Sequence, residues 1–234
     1  MITDMDDLRI SAVESKPTPF LQNAVRHVFF KSPDRTRKKT IENLLLRCSG
    51  IASLFIDGEI DSDLFAVLDQ MHLRKLTFLL PPSPSEWLKS TLNRPVLLSV
   101  THLELDTYSD DPPPRRDDWS QLTSLPALTH LCLTKNLAVD LLRPIIAECP
   151  RLTVVVTEFW HAGELEAAAK FAQSLAITDP RIVVMVVCNY KQDWRRGVRG
   201  GKDFCLQAEK FVARKRRGEI NSACYFIEED CTCR

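Results

Sequence analysis

The sequence predicts an α/β solenoid, a single parallel curved sheet with helices on its convex face. Three observations predict it. Within residues 99–136 one apolar pattern occurs twice: Val100, Leu103 and Leu105 match Leu128, Leu131 and Leu133, with Thr-His between the first two in both copies. The pattern recurs along the chain, with first positions at 25, 51, 73, 100, 128, 152 and 182. The middle strands alternate, His102, Glu104 and Asp106 interleaving with Leu103 and Leu105. Successive strand side chains point to opposite faces, so this alternation predicts one covered face and one facing water.

The second copy ends in Asn136, completing L-x-x-L-x-L-x-x-N, the strand signature of a leucine-rich repeat. Further copies are Val25, Val28 and Phe30; Ile51, Leu54 and Ile56; Leu73, Leu76 and Phe78; Leu152 and Val155; and Ile182, Met185 and Val187. The spacings run from 22 to 30 residues, and the period of such repeats is about 20–29. The other ninth positions hold Pro33, Glu59, Pro81, Tyr108, Trp160 and Tyr190, so the repeats are degenerate. Residues 1–190 thus read as six or seven repeats, with strands centred near 28, 54, 76, 103, 131, 155 and 185. A doubly wound α/β domain is the rival. Its strands, buried on both faces, are near-continuously apolar, and its βαβ units need about 30 residues or more.

Between the strands the periodicity turns helical. Ile41, Leu44, Leu45 and Cys48 follow i, i+3, i+4, i+7, as do Leu64, Val67, Leu68 and Met71. Residues 83–86, Ser-Pro-Ser-Glu, form a capping box with proline at the first helical position, opening a short helix through Trp87, Leu88 and Leu92. Trp119, Leu122 and Leu125 fit a turn or two. Residues 140–149 read as a helix with Pro144 in its first turn or so, and residues 164–176, rich in alanine and leucine, as another.

Residues 182–188 are apolar on both faces, so their outer side needs a cover. The chain beyond them supplies Phe204, Ala208, Phe211 and Val212 at helical spacing and the run Ala223-Cys-Tyr-Phe-Ile. Terminal repeats of a solenoid need a cap. Residues 191–234 are therefore read as a basic C-terminal cap.

Composition narrows the function classes. The 234 residues are 44% hydrophobic and 26% charged with formal net charge zero, so no global field selects nucleic acid or a membrane surface. The acidic start MITDMDDLRI is unlike a secretory leader, and no run approaches the ~20 apolar residues of a membrane span. Eight cysteines without such a leader predict reduced thiols in the cytoplasm or nucleus.

Candidate binding residues follow from the open face: Phe29, Phe55, Asp57, Lys75, His102, Glu104, Asp106, His130 and Glu158. Aromatics supply affinity there and charges steer encounter with a protein ligand. His102 and His130, with the carboxylates near them, also have the chemistry of a metal site or acid–base pair, against which stands a solvated polar ladder. Gly197, Gly200, Gly201 and Lys202 resemble a phosphate loop, but three residues separate Gly197 from Gly201 where that loop needs four, and Asp203 opposes phosphate. An α/β enzyme with a site there is the alternative from another class. Cys205, Cys224, Cys231 and Cys233 lack the spacing of a zinc knuckle. Residues 191–217 hold ten Lys or Arg against three acidic residues, a nucleic-acid contact or a solvated helix face. Residues 110–118, with three prolines, form a loop that cannot join the sheet. No nucleophile–base signature appears, so neither catalysis nor a cofactor or metal is expected.

The phrases IENLLLRC (41–48), PALTHLCL (126–133) and IIAECPRLT (145–153) resemble the repeat region of F-box leucine-rich-repeat proteins, especially the divergent fungal kind. The likeness covers about residues 20–190. It implies a non-catalytic protein-interaction scaffold that presents substrates within a ubiquitin-ligase adaptor. In that family an F-box module docks a Skp1-type adaptor. The residues before Val25 lack its Leu-Pro start and apolar helices, so this docking is not expected of the chain.

Overall fold

The computed structural model describes residues 2–5, 12–31, 38–81, 90–106, 120–135 and 139–227. Asn136, residues 83–86 and 110–118, Trp119, Cys231 and Cys233 lie outside the described residues. The chain is α/β and divides into two compact units, Met1–Leu128 and Thr129–Arg234.

In the first unit five parallel strands pair in sequence order: β1 (Ile2–Met5), β2 (His27–Lys31), β3 (Ser53–Glu59), β4 (Lys75–Leu79) and β5 (His102–Asp106). β1 was not expected; its four residues carry no repeat pattern. The order never reverses in this unit, whereas a doubly wound sheet reverses at a switch point. Crossovers between parallel strands are right-handed, so strands added in one direction keep their connections on one face. Those connections hold α1 (Thr18–Ala24), α2 (Lys38–Arg47), α3 (Ser62–Leu68) and α4 (Pro95–Leu98).

Three of these helices begin where the sequence provides a start. Pro17 precedes α1, Asp61 accepts the Leu64 N–H at 3.0 Å at the head of α3, and Pro95 opens α4. Lys38 Nζ sits 2.7 Å from both Asp61 and Asp63, tying α2 to α3. The helices bury Ile41, Leu44, Leu45, Leu64, Phe65 and Leu68 together with the strand residues Val28, Phe30, Leu54, Ile56, Leu76, Phe78, Leu103 and Leu105. Phe65 meets Phe78 edge-on at 6.1 Å, and the Arg94 guanidinium lies 5.1 Å above the Phe65 ring. Each such side chain contributes roughly 1.5–3 kcal/mol by leaving water.

Every strand after β2 in this unit opens with the same forked hydrogen bond to the segment before the preceding strand. The N–H groups of Ala52 and Ser53 both reach the Arg26 carbonyl, those of Arg74 and Lys75 the Ala52 carbonyl, and those of Thr101 and His102 the Arg74 carbonyl, all within 2.8–3.1 Å. The fork recurs in the second unit, where Thr153 and Val154 donate to the Thr129 carbonyl. The repeated Thr-His pair also builds one local structure twice. Thr101 Oγ1 lies 2.9 Å from His102 Nδ1, and Thr129 Oγ1 lies 2.8 Å from His130 Nδ1.

The second unit has three parallel strands in sequence order, β6 (His130–Thr134), β7 (Val154–Phe159) and β8 (Ile182–Val186). α5 (Val139–Glu148) joins the first two and α6 (Leu165–Ser174) the second two. Pro144 is the sixth residue of α5, beyond the first turn, so it removes one helical hydrogen bond. The Arg181 guanidinium donates to the carbonyls of Ile146, Cys149 and Leu152, satisfying backbone acceptors at and just beyond the C-terminal end of α5.

The last strand departs from the predicted register. Val155 pairs with Ile182, not Met185, so β8 lies 27 residues after its neighbour and not 30. An odd slip exchanges the two faces: Ile182, Val184 and Val186 share the face of Val155, and Val183, Met185 and Val187 take the other. A strand apolar on both sides carries no pattern to fix this in the sequence.

Helices on one face alone are not what the second unit shows. Phe171 of α6 meets Phe159 at 5.9 Å on the Val155 face. On the other face, α8 (Phe204–Arg216), which follows α7 (Tyr190–Val198), buries Phe204, Ala208 and Val212 against Cys132, Val154, Val156, Val183, Met185 and Val187. The predicted cover of the last strand is therefore present, and it reaches across β7 to β6. The run from Ala223 adds to the edge of β8: Val184 donates to the Tyr225 carbonyl at 2.6 Å, and Ile227 donates back to Val184 at 3.0 Å. Among the described residues no helix is long and apolar enough to cross a membrane.

Candidate functional site

The candidate residues of the first unit stand in register on adjacent strands. His27, Ser53, Lys75 and His102 form one row, and Phe29, Phe55, Thr77 and Glu104 form the next. A bulge in β3 beyond Phe55 shifts the third, where Asp57 lies beside Lys31 and Asp106 beside Leu79.

This face does not open to water as expected. Phe29 is 5% exposed, Phe55 7%, Glu104 7% and Asp106 6%. The Phe29 and Phe55 rings stack with centroids 4.3 Å apart and planes 8° from parallel. Thr77 Oγ1 donates to Glu104 Oε2 at 3.1 Å, satisfying a buried carboxylate oxygen. The aromatics are therefore core side chains and not exposed anchors. His27, Asp57, Lys75, Leu79 and His102 remain half-buried. Burial, with the charges of Lys75 and Arg26, holds the His27 imidazole below its usual pKa.

In the second unit the predicted outward residues lie under or beside α8. Glu158 is fully buried and accepts from the Cys132 thiol at 3.2 Å. His130 Nε2 lies 3.1 Å from Glu209 Oε1 of α8. Alternation alone could not foresee this, because α8 begins only at Phe204, far beyond both strands in the chain.

Lys215 is a buried charge that sequence reasoning missed. It is 4% exposed, donates to the Ile182 carbonyl at 2.7 Å, and has the Phe211 and Tyr225 rings 5.0 and 4.8 Å from its Nζ. Burial lowers its pKa from 10.5 to about 8, against weaker upward pulls from Cys224 and Asp179. The signal was present in the spacing: position 215 lies seven beyond Ala208 and four beyond Phe211, on the buried stripe of the helix. The run of basic neighbours concealed it.

Gly197 lies in the last turn of α7, and Gly200, Gly201 and Lys202 lie between α7 and α8, so the group does not directly follow a strand. Gly200 has φ of 77° and turns the chain, while a side chain at Gly197 would collide with Asp203. The N-terminus of α8 already faces two carboxylates, since Asp203 accepts from Leu206 and Asp193 from Phe204, both at 2.9 Å. This arrangement opposes a phosphate. The basic residues nearby are largely engaged: Arg214 and Arg217 with Glu219, Arg196 near Asp193, and Arg216 with the Thr153 carbonyl. Cys48, Cys132, Cys149, Cys205 and Cys224 are free thiols, as expected, but Cys188 is disulfide-bonded, against the expectation of reduced cysteines throughout.

No family model matches the chain, and no curated protein matches it.

Proposed function

We propose that the chain is a non-catalytic protein-interaction scaffold of the leucine-rich-repeat kind, a solenoid whose sheet face in the first unit meets a protein ligand. The observation that carries this reading is the forked hydrogen bond between successive strands, repeated at β3, β4, β5 and β7 with the same pair of donors and the same acceptor position. A repeated backbone device at spacings of 22–28 residues belongs to a stacked repeat, and stacked repeats generate extended binding surfaces. The contact falls on the half-buried residues His27, Asp57, Lys75, Leu79 and His102, because Phe29, Phe55, Glu104 and Asp106 are already buried. The more specific form, substrate recognition within an F-box-type ubiquitin-ligase adaptor, draws its support from the sequence phrases alone.

A photo-crosslinking amino acid at Lys75 or Leu79, with one at Lys210 of α8 for comparison, tests the reading in cells. Defined proteins crosslinked from the first two positions are expected. Crosslinks from Lys210 alone, or from none of the three, would overturn it.

A further inference from the structure

The outward side of α8 is a ridge of cations. Lys210, Arg214 and Arg217 are exposed and follow i, i+4, i+7, so they form one stripe of the helix. It lies opposite the stripe of Ala208, Val212 and Lys215, which is buried. Arg199 and Lys202, both exposed, come just before the helix. From Asp203 to Arg217 the axis rises about 21 Å at 1.5 Å per residue.

The acids of this region are spent elsewhere. Of the three within residues 191–217, Asp193 accepts from the Phe204 N–H, Asp203 accepts from the Leu206 N–H, and Glu209 lies 3.1 Å from His130. Those two aspartates keep phosphate from the head of α8, but Lys210 stands about 9 Å further along the axis than Phe204. Glu219 is the one exposed acid among residues 189–219, and Arg214 and Arg217 share it. One carboxylate between two guanidiniums leaves a net positive charge, and exposed pairs of this kind hold weakly. Arg216 donates to the neutral Thr153 carbonyl, which leaves its charge uncancelled.

The side chains around the ridge choose its occupant. Among residues 189–219 every exposed residue is polar, charged or glycine. Protein partners are held by aromatic or apolar anchors, single strands by aromatic stacking, and bilayer surfaces by buried apolar area. The ridge offers none of these. A duplex backbone needs only cations placed along it, and the planar forks of Arg199, Arg214 and Arg217 match phosphate oxygens. We infer that the Lys210–Arg214–Arg217 ridge of α8 docks the phosphate backbone of double-stranded nucleic acid without reading its sequence. The surface belongs to the second unit, and the inference is independent of the protein-ligand reading of the first.

The test is fluorescence anisotropy of a short labelled DNA duplex with the full chain, across about 50–200 mM salt. A scrambled duplex, an oligothymidylate and a polyglutamate of equal charge serve as competitors. The two duplexes should bind within about twofold of each other and ahead of the other two polyanions. The log–log salt slope should be about −2.7 or steeper, −0.9 for each stripe cation. Lys210→Gln/Arg214→Gln should weaken binding at least about tenfold at the lowest salt and make the slope shallower by about 2. Arg217→Gln alone should change the slope by about 1, which keeps the test available if the double variant unfolds by circular dichroism. Lys210→Arg/Arg214→Lys should keep both affinity and slope, and Arg74→Gln/Lys75→Gln in the first unit should stay within about twofold. No binding at the lowest salt, equal loss in the first-unit pair, or slopes unchanged by the stripe substitutions would overturn the inference. So would a strong preference between the two duplexes, or an oligothymidylate or polyglutamate that competes as well as the duplex.

Discussion

The first and second units use the same strand alternation and finish the second face differently. In β6–β8 that face is mostly apolar, Val154, Val156, Val183, Met185 and Val187, and α8 of the same unit lies on it. In β2–β5 it is mixed, and two pairs of its buried residues meet along one row: Phe29 stacks on Phe55, and Thr77 donates to Glu104. A polar residue in an alternating strand is thus not a reliable mark of water. Neighbours about 4.8 Å away on either side can meet its needs.

The strongest way to break the comparison is Phe55→Ala. If the face of the first unit is core, removing a stacked ring should cost about 3–5 kcal/mol, as large-to-small core substitutions do. Urea unfolding would measure it. A loss within about 0.5 kcal/mol, the usual range of a surface change, would return Phe55 to an open face.

Lys215 sharpens the other side of the comparison, because the second unit buries a cation where the first buries a stack and two carboxylates. Its folded pKa of about 8 lies below the ordinary 10.5, so between those values the unfolded chain holds a proton that the folded chain has released. Stability should therefore rise with pH from about 8 to about 10.5, by on the order of 3 kcal/mol. Lys215→Met should abolish that rise. Denaturant titrations across the window check it, and an unchanged slope in the variant would assign the proton uptake elsewhere.

How much of this could be read from the sequence follows the same division. The repeat copies place seven strands correctly because local apolar spacing reports local structure. Ile41, Leu44 and Leu45 gave α2, and Leu64 and Leu68 gave α3, for the same reason. What failed was set by contacts between distant segments. Ile182 and Met185 are equally apolar, so only pairing with Val155 decides which stands opposite it. The burial of Glu158 involves Cys132, and the cover on Val156 comes from Ala208 and Val212; no window around residue 158 contains them. The half-buried candidates Lys75 and His102 were legible as a row, but their separation from buried Phe55 and Glu104 was not, since alternation assigns all four to one face.

The smallest expected effect concerns the row that holds Glu104. Thr77→Val preserves shape and removes the hydroxyl that donates to Glu104 Oε2 at 3.1 Å. Both residues are buried, so the lost bond takes away the donor that shares Glu104's charge on that side. Leaving a buried acceptor unsatisfied costs about 1–3 kcal/mol. Thr77→Val/Glu104→Gln should recover part of that loss, because a neutral amide carries a smaller desolvation penalty than a carboxylate. Lys210→Ala, on the exposed side of α8, should stay within about 0.5 kcal/mol. If Thr77→Val matches Lys210→Ala, water reaches the Glu104 carboxylate and the ladder is not closed. If the double variant costs the sum of Thr77→Val and Glu104→Gln measured singly, the two residues act independently and the row is held by packing alone.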